Sequence, residues 1–437
     1  MSARRTLPEG ARRGWCPSLA RPMPTGDGLL ARVHPPLGQL TPAQLRAVAD
    51  GARIHGNGHI DVTARGNLQI RGVSEASAPR LACALAEAGL GDIRDDGGPQ
   101  RLTLTPPLAG LDGSERIGVS ALARAAEGGG SAVIGLPAKT LVAIDGGGAF
   151  GLGAIEADFY LFAGEPGEVV FGLAGEDGPL RCGLLPERRA AGALGLALIA
   201  FAGTGARRVR DLDARGRAIV AAAAGFHPFA PAPLAPAPAP APPGRVALGA
   251  SGSALVIQAP FGRCTADRLE RLASLCGATG LRLSPERGFV LPVPGARAAA
   301  LMAELAEAGF IVAADDPRRA VAACPGAPAC RSGTTPVPDH AARLARALAP
   351  LAGLGSPFSG SVHVSGCAKG CAHPGPADLT LVGRDGAYDV VVGGPASAEP
   401  ATRLAFEAAL DRIRKAAAAG LPAPDQGFSQ VFRDDVR

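Results

Sequence analysis

The chain has 437 residues, 47 % apolar and 19 % charged, enough core for two or more domains and too apolar for a disordered chain. A net charge of +5, 4 % aromatics and no basic run interleaved with aromatics exclude nucleic acid as the expected partner. Residues 1–17 hold arginines but no apolar leader core, and nine cysteines are an odd number; the expectation is a cytoplasmic protein with reduced thiols.

In chain order, residues 26–35 alternate like a strand. Residues 41–56 have helical spacing, with Thr41 as N-cap and Pro42 in the first turn. Residues 59–73 read as two strands around Arg65-Gly66, and 78–91 as a second helix. An α/β segment follows, containing the glycine-rich GGGAFG (146–151) and an apolar run, 190–203, too short to span a bilayer. Residues 228–243, PFAPAPLAPAPAPAPP, exclude helix and central strand and should run extended as a strap. Beyond it the order repeats: strands at 245–251 and 253–260, a helix at 265–280 capped by Thr265, strand–turn–strand over 281–294, and a helix at 296–310.

A β-α-β-β-α unit present twice, with a Thr cap and an Arg-Gly turn in each copy, is a duplicated ferredoxin-like half-domain. The predicted fold is α+β. Half-domains at 14–92 and 245–312 are each followed by an α/β domain, at 93–226 and 313–437, with a Pro/Ala-rich linker at 227–244. A duplicated fold tends to build its ligand site between the copies.

Four cysteines stand apart in the last segment. Cys324 and Cys330 form C-x5-C in CPGAPAC, and Cys367 and Cys371 form C-x3-C in GCAKGC. This spacing suits four thiolates converging on one iron–sulfur cluster. Structural zinc, which favours tighter knuckles, and simple packing cysteines are the alternatives. Cys16, Cys83, Cys182, Cys264 and Cys276 lack paired spacing and read as packing residues. Lysine is rare, at Lys139, Lys369 and Lys415 only, and two of these fall beside motifs.

This organisation resembles the sulfite and nitrite reductase superfamily. The resemblance implies a [4Fe-4S] cluster on Cys324, Cys330, Cys367 and Cys371, with Cys371 nearest a tetrapyrrole. The segment VTARGNLQIRG (62–72) is similar to that family's tetrapyrrole-binding strand and turn, implying Arg65, Asn67, Gln69 and Arg71 as contacts. The resemblance extends this set to Arg101, to Lys139 in the Leu-Pro-x-Lys strand, and to Lys369. Rim carboxylates of such a macrocycle, once desolvated, require cationic partners. GGGAFG matches a dinucleotide-binding pattern only weakly and reads better as a turn beside the tetrapyrrole.

Two departures matter. Leu141 stands where the reductases carry a second lysine, and His373 follows the last cysteine. With these, the chain looks most like the precorrin-3B synthase branch of the superfamily. That branch hydroxylates C20 of precorrin-3A with O2 and closes a γ-lactone, in aerobic cobalamin biosynthesis. The resemblance implies Arg65, Lys139 and His373 as catalytic residues, and an external electron donor, either an NADH-linked reductase or a ferredoxin. It also raises a mononuclear non-haem iron on His363, His373 and Asp378. A siroheme-dependent sulfite or nitrite reductase is the alternative, and a non-catalytic tetrapyrrole or cluster carrier a third reading.

Overall fold

The computed structural model describes residues 16–248, 252–352, 360–418 and 424–433; residues 249–251 of the predicted strand 245–251 lie outside these. Four sheets carry the fold. In the first half-domain Leu29–Val33 pairs with Leu68–Val73, which pairs with His59–Val62, all antiparallel. In the second, Ser253–Gln258, Gly288–Val293 and Leu281–Ser284 repeat this order. The helices Pro42–His55 and Ala266–Leu275 begin at the expected threonines. Thr41 adds a reciprocal capping box: its hydroxyl accepts from Gln44 N–H, and the Gln44 side chain accepts from Thr41 N–H.

The half-domains exchange strands. After Pro36-Leu37-Gly38 the chain pairs Gln39–Leu40 with Leu281–Arg282 of the other half. After Pro260-Phe261-Gly262 it pairs Arg263–Thr265 with His59–Asp61 of the first. Both corners use the left-handed region at a bulky residue, φ 51° at Leu37 and 58° at Phe261, a conformation held only where surrounding structure over-determines it. One apolar core is therefore shared, with Leu45, Ile60 and Leu68 against Leu269, Leu283 and Phe289.

The two α/β segments also match. In one, Thr103–Leu104, Val142–Asp145 and Phe159–Ala163 are parallel neighbours, continued antiparallel by Glu168–Ala174 and Pro179–Pro186. In the other, Val321–Ala323, Val362–Ser365 and Ala377–Arg384 are parallel, continued by Ala387–Gly394 and Thr402–Leu404. The strap crosses the first of these sheets, pairing Ala232–Pro233 with Leu180–Arg181. The apolar run 190–203 lies in the helix Glu187–Gly203, and no helix among the described residues is long and apolar enough to cross a membrane.

The ladders refine the expected Arg-Gly equivalence. Thr63 faces Asn67 across a three-residue loop whose left-handed residue is Gly66. Ser284 faces Gly288 across a like loop, and there the left-handed residue is Arg287. The two Arg-Gly turns are thus offset by one position, and Arg287 takes the place of Gly66.

Candidate active site

The strand exchange opens a cleft of about 970 Å3 between the first half-domain, the Phe261–Arg263 corner and the cysteine-bearing segment. Eight arginines line it, from Arg32 to Arg346, against a single acid, Asp61. Three have carboxylate partners. Arg71 bonds Asp27 (2.9 Å) and Asp61 (3.1 Å), Arg263 bonds Asp61 (2.8 Å), and Arg318 bonds Asp316 (2.6 Å). Arg32, Arg65, Arg268, Arg287 and Arg346 have no carboxylate within ion-pair distance among the described residues. Burial lowers the affinity of Arg65 and Arg287 for their protons. Cations removed from water without an anion need one from outside, and a polycarboxylate supplies it.

Cys324 and Cys371 stand in the wall of this cleft. Cys324 follows the strand Val321–Ala323 and Cys367 follows Val362–Ser365, so adjacent parallel strands deliver both cysteine loops to one end of the sheet. Gly366 N–H donates to Cys324 Sγ (3.2 Å), and Ser365 Oγ donates to the Cys367 carbonyl (2.7 Å). All four thiols are free. Burial, then the charges of Cys367, Cys324 and Cys330, pushes the Cys371 thiol up to about 11. Four thiols close enough to repel one another fit a shared cationic centre. Among the described residues no three His, Cys, Asp or Glu side chains gather tightly enough for a single metal ion; thiolates around a cluster stand farther apart.

The remaining candidates divide. Arg65, Asn67 and Gln69 line the cleft. With its amide turned to face Arg32, the Gln69 oxygen accepts from Nε (3.0 Å) and Nη2 (2.6 Å). Arg71 is engaged by Asp27, Asp61 and the Ala329 carbonyl; it ties the first half-domain to the loop carrying Cys330. Arg101 is 9 % exposed and donates to the carbonyls of Pro35, Gly66 and Arg65, bracing the hairpin that presents Arg65.

Several expectations are corrected. Lys139 lies exposed on a turn closed by Thr140 N–H to the Pro137 carbonyl, and only its own carbonyl meets the site, accepting from Arg65 Nη1 (3.3 Å). Lys369 faces Ser332 Oγ (3.5 Å) outside the cleft. His373 Nε2 meets the Pro376 carbonyl (2.9 Å) and does not line the cleft. The iron set His363, His373 and Asp378 is not assembled. The two imidazoles are 5.9 Å apart between centroids, but the Asp378 carboxylate accepts from Ser361 N–H and Oγ–H. His363 is fully buried, and neither ring nitrogen has a hydrogen-bond partner among the described residues; burial, then His373 and Arg287, holds it neutral down to about 4. GGGAFG is not beside the cleft: Ala149 N–H donates to Asp112 Oδ2 (2.8 Å) and Gly151 N–H to the strap at Ala239 (3.1 Å).

The comparisons with known proteins agree with this architecture. Residues 21–88 match the nitrite/sulfite reductase ferredoxin-like half domain. The chain is 38 % identical over 407 residues to a precorrin-3B synthase of Sinorhizobium sp., spanning 89 % of this chain and 84 % of that protein. It belongs to the precorrin-3B synthase family. Precorrin-3B synthases and the more distant ferredoxin–nitrite reductases are oxidoreductases, and so is this chain. It is 27 % identical to the ferredoxin–nitrite reductase of Synechococcus elongatus, over 87 % of this chain and 82 % of the relative. The solved structure of Mycobacterium tuberculosis NirA protein superposes with a TM-score of 0.70 at 20 % identity, covering 94 % of this chain and 85 % of that one; this likeness concerns the fold alone. Leu141 is 3 % exposed and packed in the apolar core of the first α/β segment.

Proposed function

We propose that this member of the family carries out the reaction for which the family is named: O2-dependent hydroxylation of precorrin-3A at C20 with closure of a γ-lactone from an acetate arm. The carrying observation is the cleft of eight arginines with Cys324 and Cys371 in its wall. Among the described residues Arg32, Arg65, Arg268 and Arg287 have no carboxylate within ion-pair distance, which suits a macrocycle rimmed with acetates and propionates. Phe261 and Pro260 offer apolar surface for its face. Asp61 holds Arg71 and Arg263 in place from below, so the cationic wall is set before the substrate arrives.

Cys324, Cys330, Cys367 and Cys371 would hold a [4Fe-4S] cluster, which when bound supplies electrons one at a time. Those electrons come from an external donor. Leu141 favours the tetrapyrrole as substrate: an apolar core residue there neither binds nor protonates a small oxyanion. A siroheme-dependent reductase is the competing reading, supported by the similarity to ferredoxin–nitrite reductase. Anaerobically purified protein given precorrin-3A, a reduced electron donor and then O2 is expected to form the hydroxylated lactone, with the second oxygen atom leaving as water. A stable siroheme Soret band with sulfite- or nitrite-dependent turnover would establish the competing reading instead.

A further inference from the structure

Behind the Thr63–Asn67 hairpin lies a second, smaller chamber of about 410 Å3. Arg32, Arg65 and Asn67 belong to the walls of both the chamber and the main cleft, so the two spaces meet at these side chains. Arg101, His34 and Leu141 line the chamber but not the cleft, as do Cys16, Asp95 and Asp96.

The charge balance of the chamber is unusual. Of its two acids, Asp95 and Asp96, the second is held by Arg94 (2.5 Å). Arg32, Arg65 and Arg101 face the same space, and among the described residues none of these three has a carboxylate within ion-pair distance. Their partners carry no carboxylate: the Gln69 amide and the Cys16 thiol for Arg32, the Lys139 carbonyl for Arg65, and three backbone carbonyls for Arg101. Burial lowers the proton affinity of all three, Arg101 to about 10. Two more polar atoms there are buried with no hydrogen-bond partner among the described residues, Asn67 Oδ1 and His34 Nδ1, and Asn67 is only 6 % exposed. Buried polar groups are almost always paired, so a set left open together marks a place where a ligand group completes it.

We propose that this chamber is an anion subsite that receives one carboxylate arm of the tetrapyrrole, while the macrocycle itself stays in the larger cleft. The inference rests on the tetrapyrrole reading of that cleft. Arg32 and Arg65 stand at the junction and clamp the carboxylate from both sides. Asn67, its amide free to turn, donates to it. His34, kept neutral by burial and by Arg32 and Arg101, adds a hydrogen bond without further charge. The apolar wall at Leu141 leaves the chamber suited to a singly charged carboxylate on a methylene arm, and less so to a free, doubly charged oxyanion.

The test is a fluorescence titration of the as-isolated holoprotein with uroporphyrin, whose eight carboxylates make it a stable probe, alongside its octamethyl ester. Arg32→Met is expected to weaken uroporphyrin binding at least tenfold, and Arg32→Lys, which keeps the charge, to restore most of it. The ester should bind wild type and Arg32→Met equally. Should Arg32→Met fail to fold, Arg65→Met carries the same expectation. Uroporphyrin affinity unchanged in Arg32→Met but lost in the main-cleft variant Arg287→Met would overturn the subsite and leave the tetrapyrrole reading standing. No uroporphyrin binding to wild type would overturn that reading itself. Saturable sulfite binding that depends on Arg32 and leaves uroporphyrin affinity untouched would show that the chamber takes a free oxyanion, contrary to the proposal.

Discussion

The two halves share one scaffold and fill the same space in opposite ways. In the first half-domain Arg32 and Gln69 face each other on adjacent strands and open onto the cleft. Counted along the matching ladders, their counterparts in the second are Val256 and Val290, also cross-strand partners. These pack with Leu108, Ala254 and Val246 into a closed apolar cluster, backed by Leu111 and Phe150. The cysteine loops have counterparts as well. Strand register sets Cys324 and Cys330 against Pro106 and Asp112, and Cys367 and Cys371 against Gly147 and Gly151. GGGAFG is the twin of GCAKGC. Where one half brings four thiols together, the other ties its loops by a carboxylate, Asp112 accepting from Ser114 N–H (2.9 Å) and Ala149 N–H (2.8 Å). The duplication supplies two possible sites, and side-chain chemistry leaves one open and plugs the other.

This contrast breaks most sharply at the cysteines. Replacing Cys371 or Cys324 by Ser should abolish the cluster's visible absorbance and the activity together, whereas Asp112→Ala should keep both; iron content and absorbance spectra check this. A Cys371→Ser protein with full iron content would contradict the ligand assignment. Next come the arginines. Arg287→Met should weaken tetrapyrrole binding by about tenfold or more, the loss of a charged hydrogen bond of roughly 1.5–3 kcal/mol. Arg282→Met, at the plugged site and bonded to the Pro107 and Ala109 carbonyls, should leave binding unchanged. Equal losses from both would erase the distinction.

The plug should respond in stability instead. Leu108 is 2 % exposed, and Leu108→Ala should cost about 2–5 kcal/mol with cluster content intact, as read by denaturant unfolding. Asp112→Ala should cost less, about 1–2 kcal/mol, for its lost hydrogen bonds.

The smallest effect is a pH dependence at His34. Burial, with Arg32 and Arg101 nearby, lowers its proton affinity from an ordinary 6.5 to about 3. The unfolded chain therefore takes up a proton that the folded one refuses, so this contribution to stability is complete above about 6.5 and declines as pH falls toward 3. His34→Asn should lose less melting temperature between pH 7 and pH 5 than wild type does. An identical decline in both would contradict this.

Much of this comparison is legible in the sequence. Thr41 and Thr265 announce equivalent helices, the proline strap marks the division, and the cysteine spacing singles out the second half. The strand exchange is not legible, because segments as short as Gln39–Leu40 and Arg263–Thr265 carry no periodicity. Without it, the contribution of Phe261 and Arg263 to the first half's site stays hidden. In a chain this rich in arginine a single one says little, so Arg268 passes unnoticed and Arg287 is read only as part of a turn. Arg32 does leave a signal, a charge within LLARV on the face opposite to Ala31 and Val33. Lys139 misleads because its rarity in this chain reflects the exposed turn it occupies as readily as a role in the site.

The central claim is that the open site oxidises the tetrapyrrole it binds. Its most direct test is turnover of cluster-replete protein with precorrin-3A under 18O2, with a reduced external donor supplying the two electrons that send the second oxygen atom to water. A product heavier by one oxygen atom, labelled with 18O and formed only when O2 is present, is the predicted result. Unlabelled product, or no product from protein that instead reduces sulfite or nitrite without O2, would contradict it.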